Sequence, residues 1–333
     1  FSVIFAILFV RFSVILRKNS IEFRTNICYT VINKGGLSMY RKITKFLEAW
    51  KSSPHRKPLI LQGARQVGKT YSVLEFGRKQ YENVAYFNFE TNPKLSETFA
   101  ESISPDYLIP ILSHIAGQTI VKEKTLIVFD EVQLCERALT SLKYFCEDAP
   151  DYHIVVAGSL LGVAVNREKF SFPVGKVDMI TLYPMDMEEF MMALGENELV
   201  EQIKSCFATN TPLPSALHDA AMQLYRQYLV VGGMPECVMQ FVETKDYILV
   251  RHTQDTILAS YLNDMSKYNN LNEIKKTRLA YDNVTVQLSK KNTRFQYKLI
   301  KKGGRASEFE NAIEWLCLSG IVSQVFKVEK IKK

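Results

Sequence analysis

The stretch that decides the fold is Gly63-Ala64-Arg65-Gln66-Val67-Gly68-Lys69-Thr70, which matches the pattern G-x-x-x-x-G-K-[ST] of a phosphate-binding loop. In this pattern the glycines let backbone N–H groups surround a β-phosphate, the lysine reaches the β- and γ-oxygens, and the threonine hydroxyl binds Mg²⁺. The apolar run 58–62 before the loop predicts a buried parallel strand, and a helix beginning at Lys69 adds the positive end of its dipole. Residues 63–70 are therefore expected to bind ATP and Mg²⁺.

An acidic pair, Asp130 and Glu131, ends a second apolar run that begins at Thr125. In open α/β sheets ligands bind beyond the carboxyl ends of the strands, so this pair is expected beside the phosphate-binding loop. We expect Asp130 to hold Mg²⁺ together with Thr70, and Glu131 to orient or deprotonate the attacking water. Glu131 and Lys69 are accordingly candidate catalytic residues.

A third candidate catalytic residue, Ser159, follows the apolar run 153–157. A polar side chain at this strand end can hydrogen-bond the attacking water or the γ-phosphate, as sensor residues do in ring-forming and switch ATPases. The same serine is equally well explained as the N-cap of a helix over residues 160–165. The sequence leaves both interpretations open.

Apolar runs at 58–62, 83–90, 125–130 and 153–157 alternate with helical segments, which predicts a three-layer α/β fold with a parallel sheet and right-handed crossovers. Helical spacing at 186–206 and 214–229 predicts a small helical lid, and 246–267 and 272–290 predict two more helices. The methionines at positions 185, 187, 191 and 192 are expected mainly in the core. The segment 232–235 (G-G-M-P) must interrupt a helix, either as a lid hinge or as a plain turn.

The last part of the chain has a different pattern, with strand-like spacing from Arg294 to Leu299, a helix over 306–318 and a second strand over 321–328. Helix then strand with a basic flank is typical of a winged-helix-like α+β segment. Residues 289–333 carry eleven basic and four acidic residues, a net charge of +7, whereas residues 39–288 carry −4. The basic segment is a candidate DNA-binding surface, and the alternative is a packing module with a solvated basic surface.

Five motifs in order support a resemblance to a known family: the loop at 63–70, F-D-E-V-Q at 129–133, G-S-L-L-G at 158–162, F-P-V-G-K at 172–176 and G-G-M-P-E at 232–236. From about residue 39 onward the chain resembles the prokaryotic AAA-type ATP-binding proteins that carry a C-terminal domain of unknown function. The resemblance implies an AAA+-like P-loop core over 39–185 and a helical lid with linker helices over 186–290. It also implies a winged-helix-like segment, here 291–333, followed by a nuclease-like domain.

The chain departs from this family in two respects. Lys176 stands where the family commonly has arginine, which puts any arginine-type contact to nucleotide at that position in doubt, because the two side chains are not equivalent at a phosphate. The nuclease-like part is expected to be truncated, since the sequence ends at Lys333, and no nuclease site is assigned.

Residues 1–38 are expected to be a non-native leader translated from upstream DNA. The run 1–16 is apolar but contains Arg11, which is costly in a membrane helix, and its charges do not follow the order of a signal peptide. Lys34-Gly35-Gly36, shortly before Met39, can be encoded by AAA-GGA-GGN, which contains the purine-rich sequence of a bacterial ribosome-binding site. The alternative is a short membrane anchor over 1–16. Because the leader interpretation is favoured, a membrane partner is not expected.

The length of 333 residues suggests two domains or three small ones. A content of 47% hydrophobic residues fits a folded protein, and the composition excludes disorder and coiled coil. Six scattered cysteines without a C-x-x-C pair indicate reduced thiols and a cytoplasmic location. The expected function is Mg²⁺-dependent ATP hydrolysis that drives a conformational switch, with DNA, a protein or a second copy of the chain as partner. The alternative is a regulator that binds ATP without hydrolysing it, because Arg226 and Arg251 are no more than positional candidates for an arginine finger.

Overall fold

A computed structural model describes residues 3–6, 39–158, 173–267, 271–290, 294–301 and 303–326. The strands within these ranges are β1 (Val3–Ala6), β2 (Leu59–Gln62), β3 (Asn83–Asn88), β4 (Thr125–Asp130), β5 (His153–Gly158), β6 (Asp178–Thr181) and β7 (Ser323–Phe326). The helices are α1 (Ile43–Ser52), α2 (Lys69–Gln80), α3 (Leu95–Glu101), α4 (Pro105–Ala116), α5 (Glu136–Asp148), α6 (Met187–Ala193), α7 (Asn197–Ala208), α8 (Ser215–Val231), α9 (Pro235–Thr244), α10 (Tyr247–Lys267), α11 (Leu271–Leu288) and α12 (Ala306–Leu318).

A five-stranded parallel sheet in the order β3–β4–β5–β2–β6 forms the centre of the N-terminal half. Strand β2, which leads into the loop 63–68, lies between β5 and β6, with Leu59 opposite both Val155 and Asp178. Strand β4 lies next to β5, so that Asp130 ends close to the same sheet edge as the loop. The predicted parallel sheet is confirmed, and β6 is a fifth strand that the sequence pattern did not reveal.

The sheet is covered on both faces, as a three-layer fold requires. Alternate residues of β2 point to opposite sides: Leu59 and Leu61 pack with α1, α2 and the C-terminal helices, and Ile60 packs with α3, α4 and α5. Each of these three side chains is fully buried. The near-continuous apolar runs of β2, β4 and β5 follow from burial on both faces.

The region expected to be a lid is helical, with one difference from the prediction. Residues 186–206 form two helices, α6 and α7, because the chain turns at Gly195, whose φ is +89°. Helix α6 begins with a capping box between Asp186 and Glu189. Helices α8, α10 and α11 lie where helical spacing predicted them. Met185 and Met191 are buried, and Met187 and Met192 pack against buried clusters, which confirms their core role.

The strand predicted over 294–299 is wrong, because Tyr297–Leu299 forms a 3₁₀ turn. The side-chain amide of Gln287 accepts a hydrogen bond from Gln296 N (2.7 Å) and donates one to Gln296 O (3.0 Å), which satisfies the backbone groups that a neighbouring strand would use. Helix α12 and strand β7 confirm the rest of the pattern, and β7 pairs antiparallel with β1. The winged-helix assignment for residues 291–333 stays a prediction.

Apart from β1, residues 1–38 lie outside the described residues, and the hypothesis that they come from upstream DNA stays a prediction. Among the described helices, none is both long enough and apolar enough to cross a bilayer.

Candidate nucleotide-binding site

The loop between β2 and α2 has the backbone conformation that its glycines permit. Gly63 has a φ of +152°, and a Cβ there would lie 2.2 Å from the carbonyl oxygen of Leu182. Gly68 has a φ of +88° and is the N-cap residue of α2. Both positions require glycine, one for close approach to the end of β6 and one for a left-handed conformation. The predicted loop and the helix that begins at Lys69 are confirmed.

Lys69 is buried against the inside of the loop, with its side chain folded back onto it. Its Nζ donates hydrogen bonds to the carbonyl oxygens of Gly63 (2.9 Å) and Ala64 (2.8 Å). Burial lowers the pKa of Lys69 to about 8, although the carboxylates of Glu131 and Asp130 act in the opposite direction. The ammonium group is therefore held where the motif predicts a cation for phosphate oxygens.

Thr70 and Asp130 are brought together, as predicted. The Thr70 hydroxyl donates to Oδ2 of Asp130 at 2.8 Å, and the Tyr86 hydroxyl donates to the same oxygen, also at 2.8 Å. Oδ1 of Asp130 accepts a hydrogen bond from the backbone N–H of Glu131 at 3.0 Å. A hydroxyl and a carboxylate side by side fit Mg²⁺, which prefers oxygen ligands and usually takes one or two carboxylates in addition to substrate phosphates.

Glu131 follows Asp130 in a left-handed conformation, with a φ of +52°. A residue other than glycine rarely adopts this conformation, and such outliers concentrate at functional sites. Burial raises the pKa of Glu131, and a hydrogen bond from Nε2 of Gln133 to Glu131 Oε2 partly opposes that shift. The carboxyl group is thus fixed at the end of β4, and Gln133 is a neighbour to which the sequence assigned no role.

Arg41 is a component of the site that the sequence did not reveal. The residue is 5% exposed, and its guanidinium donates to Val67 O (2.8 Å), to Tyr183 O (2.7 Å) and to Oε1 of Glu189 (3.1 Å). These acceptors belong to the loop, to the segment after β6 and to the first turn of α6. A single arginine before a helix carries no motif, so no sequence signal pointed to it.

The C-terminal half also contacts the loop. The Tyr261 hydroxyl donates to the carbonyl oxygen of Arg65 at 2.7 Å, and Nη1 of Arg65 donates to both carboxylate oxygens of Asp264, at 2.7 and 2.8 Å. Gly320 lies so close that a Cβ on it would be 3.1 Å from the backbone nitrogen of Ala64. No pattern in the sequence indicated these contacts.

The G-G-M-P segment lies next to the loop as well. A Cβ on Gly233 would be 2.0 Å from the carbonyl oxygen of Met185, and Cγ of Pro235 is 3.6 Å from the position of a Cβ on Gly68. The segment therefore packs tightly against Met185, at the end of the core, and against the loop. Its interpretation as a hinge stays a prediction.

The remaining candidates are not part of this arrangement. Ser159 lies outside the described residues, so its two interpretations stay open. Lys176 forms an ion pair with Glu147 at 2.8 Å and precedes β6, at the end of the sheet opposite the loop. Arg251 pairs with Asp255 at 2.9 Å, and Arg226 is exposed on α8. Among the described contacts, none joins these three basic side chains to residues 63–70.

Comparison with solved structures shows the same fold in a Walker-type ATPase of Pyrococcus abyssi. It shares 14% sequence identity and a TM-score of 0.50 with this chain, over 85% of this chain and 90% of its own length. The ORC2 protein of Aeropyrum pernix has 10% identity and a TM-score of 0.45, over 86% of this chain and 88% of its own. The RuvB Holliday junction branch migration motor of Thermotoga maritima has 13% identity and a TM-score of 0.38, over 85% and 88%. No conclusion rests on the last two.

Two family models match separate parts of the chain, and no curated protein sequence matches it. Residues 55–191 match the model of an AAA domain, and residues 222–333 match that of a domain of unknown function (DUF8612). The first match contains the loop 63–70 and the acidic pair, and the second contains helices α10, α11 and α12. The chain therefore combines a region that matches an AAA domain, in a P-loop NTPase fold, with a C-terminal region that matches the DUF8612 domain.

Proposed function

We propose that this chain binds ATP with Mg²⁺ at residues 63–70 and hydrolyses it. One observation carries the proposal: the buried ammonium of Lys69, the Thr70–Asp130 hydrogen bond of 2.8 Å and the Glu131 carboxyl group meet at one edge of the parallel sheet. This is the set of groups that phosphoryl transfer requires, since catalysis there depends on positioning and on neutralisation of charge.

Each residue has a distinct part in the proposed reaction. Backbone N–H groups of the loop bind the phosphates, and Lys69 neutralises negative charge on the β- and γ-oxygens. Glu131 orients the attacking water, and its raised pKa makes it a stronger base than an exposed glutamate. Thr70 and Asp130 would hold Mg²⁺, which supplies further positive charge to the phosphate oxygens when it is bound.

We further propose that the reaction is coupled to a change in the C-terminal half and that DNA is the partner of the basic segment after α11. Lys290, Lys298, Lys301 and Arg305 are exposed there, and Arg294 is exposed nearby. Such a cluster suits a phosphate backbone. A protein partner or a second copy of the chain remains the alternative partner. The free thiols of Cys135 and Cys237 suit the cytoplasmic location that we propose.

Steady-state ATP hydrolysis by the wild-type chain and by the Glu131→Gln variant, with and without duplex DNA, tests this function. We expect Mg²⁺-dependent turnover in the wild type, stimulated by DNA. The variant should bind ATP with unchanged affinity but turn over at least about 100-fold more slowly, because the glutamine amide has the shape of the carboxylate but cannot act as a base. Wild-type turnover in Glu131→Gln would remove Glu131 from the mechanism. Tight ATP binding with negligible wild-type turnover would favour the regulator that binds ATP without hydrolysing it.

A further inference from the structure

Four carbonyl oxygens of the loop are held by side chains, two of them by side chains from elsewhere in the chain. Lys69, at the start of α2, binds the oxygens of Gly63 and Ala64, as described above. Arg41 binds that of Val67, and Tyr261 binds that of Arg65. Tyr261 belongs to α10, within the match to the domain of unknown function, so this domain supplies part of the support of the loop.

The Tyr261 hydrogen bond fixes the peptide plane between Arg65 and Gln66. In a trans peptide the C=O and N–H groups point in opposite directions, so a carbonyl held by Tyr261 directs the N–H of Gln66 away from α10. Gln66 has a φ of +65°, a conformation that is costly for glutamine and persists where its surroundings impose it. Tyr261 is 2% exposed and packed in the main core, which makes it a rigid support.

Two further contacts of the same domain converge on this point. Asp264 lies three residues after Tyr261, on the same face of α10, and accepts both hydrogen bonds of the Arg65 guanidinium while being 6% exposed itself. Gly320, which follows α12, brings a second part of the domain against Ala64. Backbone and side chain of Arg65 are thus both fixed by residues about 200 positions away in the chain.

We infer that Tyr261 and Asp264 are positioning residues of the nucleotide site, so that the C-terminal domain completes the phosphate-binding loop of the AAA domain within one chain. This inference rests on the proposed ATP binding and adds a role for the domain of unknown function. Loss of the Tyr261 contact releases the 65–66 peptide, and loss of the Asp264 contact releases the Arg65 side chain. Either change weakens ATP binding without removing any group that touches the nucleotide. Equilibrium coupling is reciprocal, so ATP in turn stabilises the docked domain.

The test uses the full chain with Tyr261→Phe and, as matched control, Tyr281→Phe in the neighbouring helix α11, where the tyrosine packs against the same core. ATP affinity is measured by calorimetry with Mg²⁺, and amide hydrogen exchange of the peptide containing residues 63–70 is measured without nucleotide. We expect Tyr261→Phe to raise the Kd for ATP about tenfold and KM by a similar factor with little change in kcat, and to accelerate exchange in the loop. Tyr281→Phe should match the wild type in all of these.

Asp264→Asn is a second variant, which keeps the shape of the side chain and is also expected to weaken ATP binding. It keeps the inference testable if Tyr261→Phe fails to fold. Wild-type Kd and wild-type loop exchange in the folded variants would overturn the inference while leaving the proposed function intact. A folded wild-type chain that does not bind ATP would instead overturn the proposed function, and the hydrogen exchange would still report whether α10 positions the loop.

Discussion

At the scale of single residues, Lys69 occupies a position where its positive charge is costly. Burial lowers its pKa from 10.5 to about 8, so the unfolded chain binds more protons than the folded chain between these two values. Lys69 therefore lowers the free energy of unfolding below pH 8, and this destabilisation disappears as the pH rises toward 10.5. A bound phosphate reverses the shift and raises the pKa of Lys69 again, because a nearby negative charge favours the ammonium form.

This reversal predicts a pH dependence of ATP binding. Above pH 8 the free protein must take up a proton on Lys69 when ATP binds, so we expect the affinity for ATP to fall, by up to about tenfold per pH unit, between pH 8 and 9.5. Calorimetric titration at several pH values, in buffers of different ionisation enthalpy, measures both the Kd and the proton uptake. Lys69→Arg is the control, since arginine stays charged and should show no such fall if it binds ATP. An affinity equal at pH 7.5 and 9.5 in the wild type would refute the assignment.

Residue types at fixed spacing made part of the site predictable from sequence. Lys69, Thr70, Asp130 and Glu131 belong to local motifs next to apolar strands, and the structure brings them together. Arg41 and the two positioning residues of α10 were not predictable, because their partners lie 26 to 199 positions away and arginine, tyrosine and aspartate are common in any chain. Their identification required the fold.

At the scale of secondary-structure elements, Arg41, just before α1, connects the start of this helix to three other parts of the chain. Its fork of donors reaches the loop, the segment after β6 and Glu189 in α6 simultaneously, which a lysine cannot do. Glu189 also accepts hydrogen bonds from the backbone N–H groups of Lys42 and Asp186, so it keeps partners when Arg41 is removed.

We expect Arg41→Lys to lower the free energy of unfolding by about 1–3 kcal/mol, because two backbone carbonyls lose their donors in a buried site. Urea unfolding of the ATP-free chain measures this change. Lys42→Met is the matched control, since the exposed ion pairs of Lys42 with Asp186 and Glu188 are expected to contribute less than about 1 kcal/mol. Equal destabilisation by both substitutions would show that Arg41 does not connect these elements.

Elements were predictable where burial imposed a clear pattern. Strands β2, β4 and β5 are buried at nearly every position and therefore have continuous apolar sequences, whereas the four residues of β6 are partly exposed and have no such signal. The alternation at Phe295, Tyr297 and Leu299 indicated a strand, but the Gln287 side chain satisfies the backbone of Gln296 and a 3₁₀ turn forms. Tertiary hydrogen bonding here overrides local pattern.

At the scale of the whole molecule, residues of both matched domains meet at the carboxyl ends of the parallel strands. The strand order places the loop after β2 near the acidic end of β4, and helix α10 of the C-terminal domain closes on the loop from outside. The net charge is distributed unevenly along the chain. Residues 39–288 carry −4, and the exposed basic residues after α11 are part of the positively charged remainder. The proposed nucleotide site and the proposed DNA contact thus lie in different segments of the sequence.

Residues 63–70 are proposed to bind ATP, and the decisive experiment is calorimetric titration of the wild-type chain and the Lys69→Ala variant with ATP and Mg²⁺. Alanine removes the buried ammonium group but leaves the loop backbone and the Thr70–Asp130 pair in place. We predict saturable one-to-one binding by the wild type and a loss of affinity of at least about 100-fold in the variant, with circular dichroism showing that both are folded. Equal ATP affinity in the two proteins, or no binding by the folded wild type, would show that residues 63–70 do not form an ATP site that depends on Lys69.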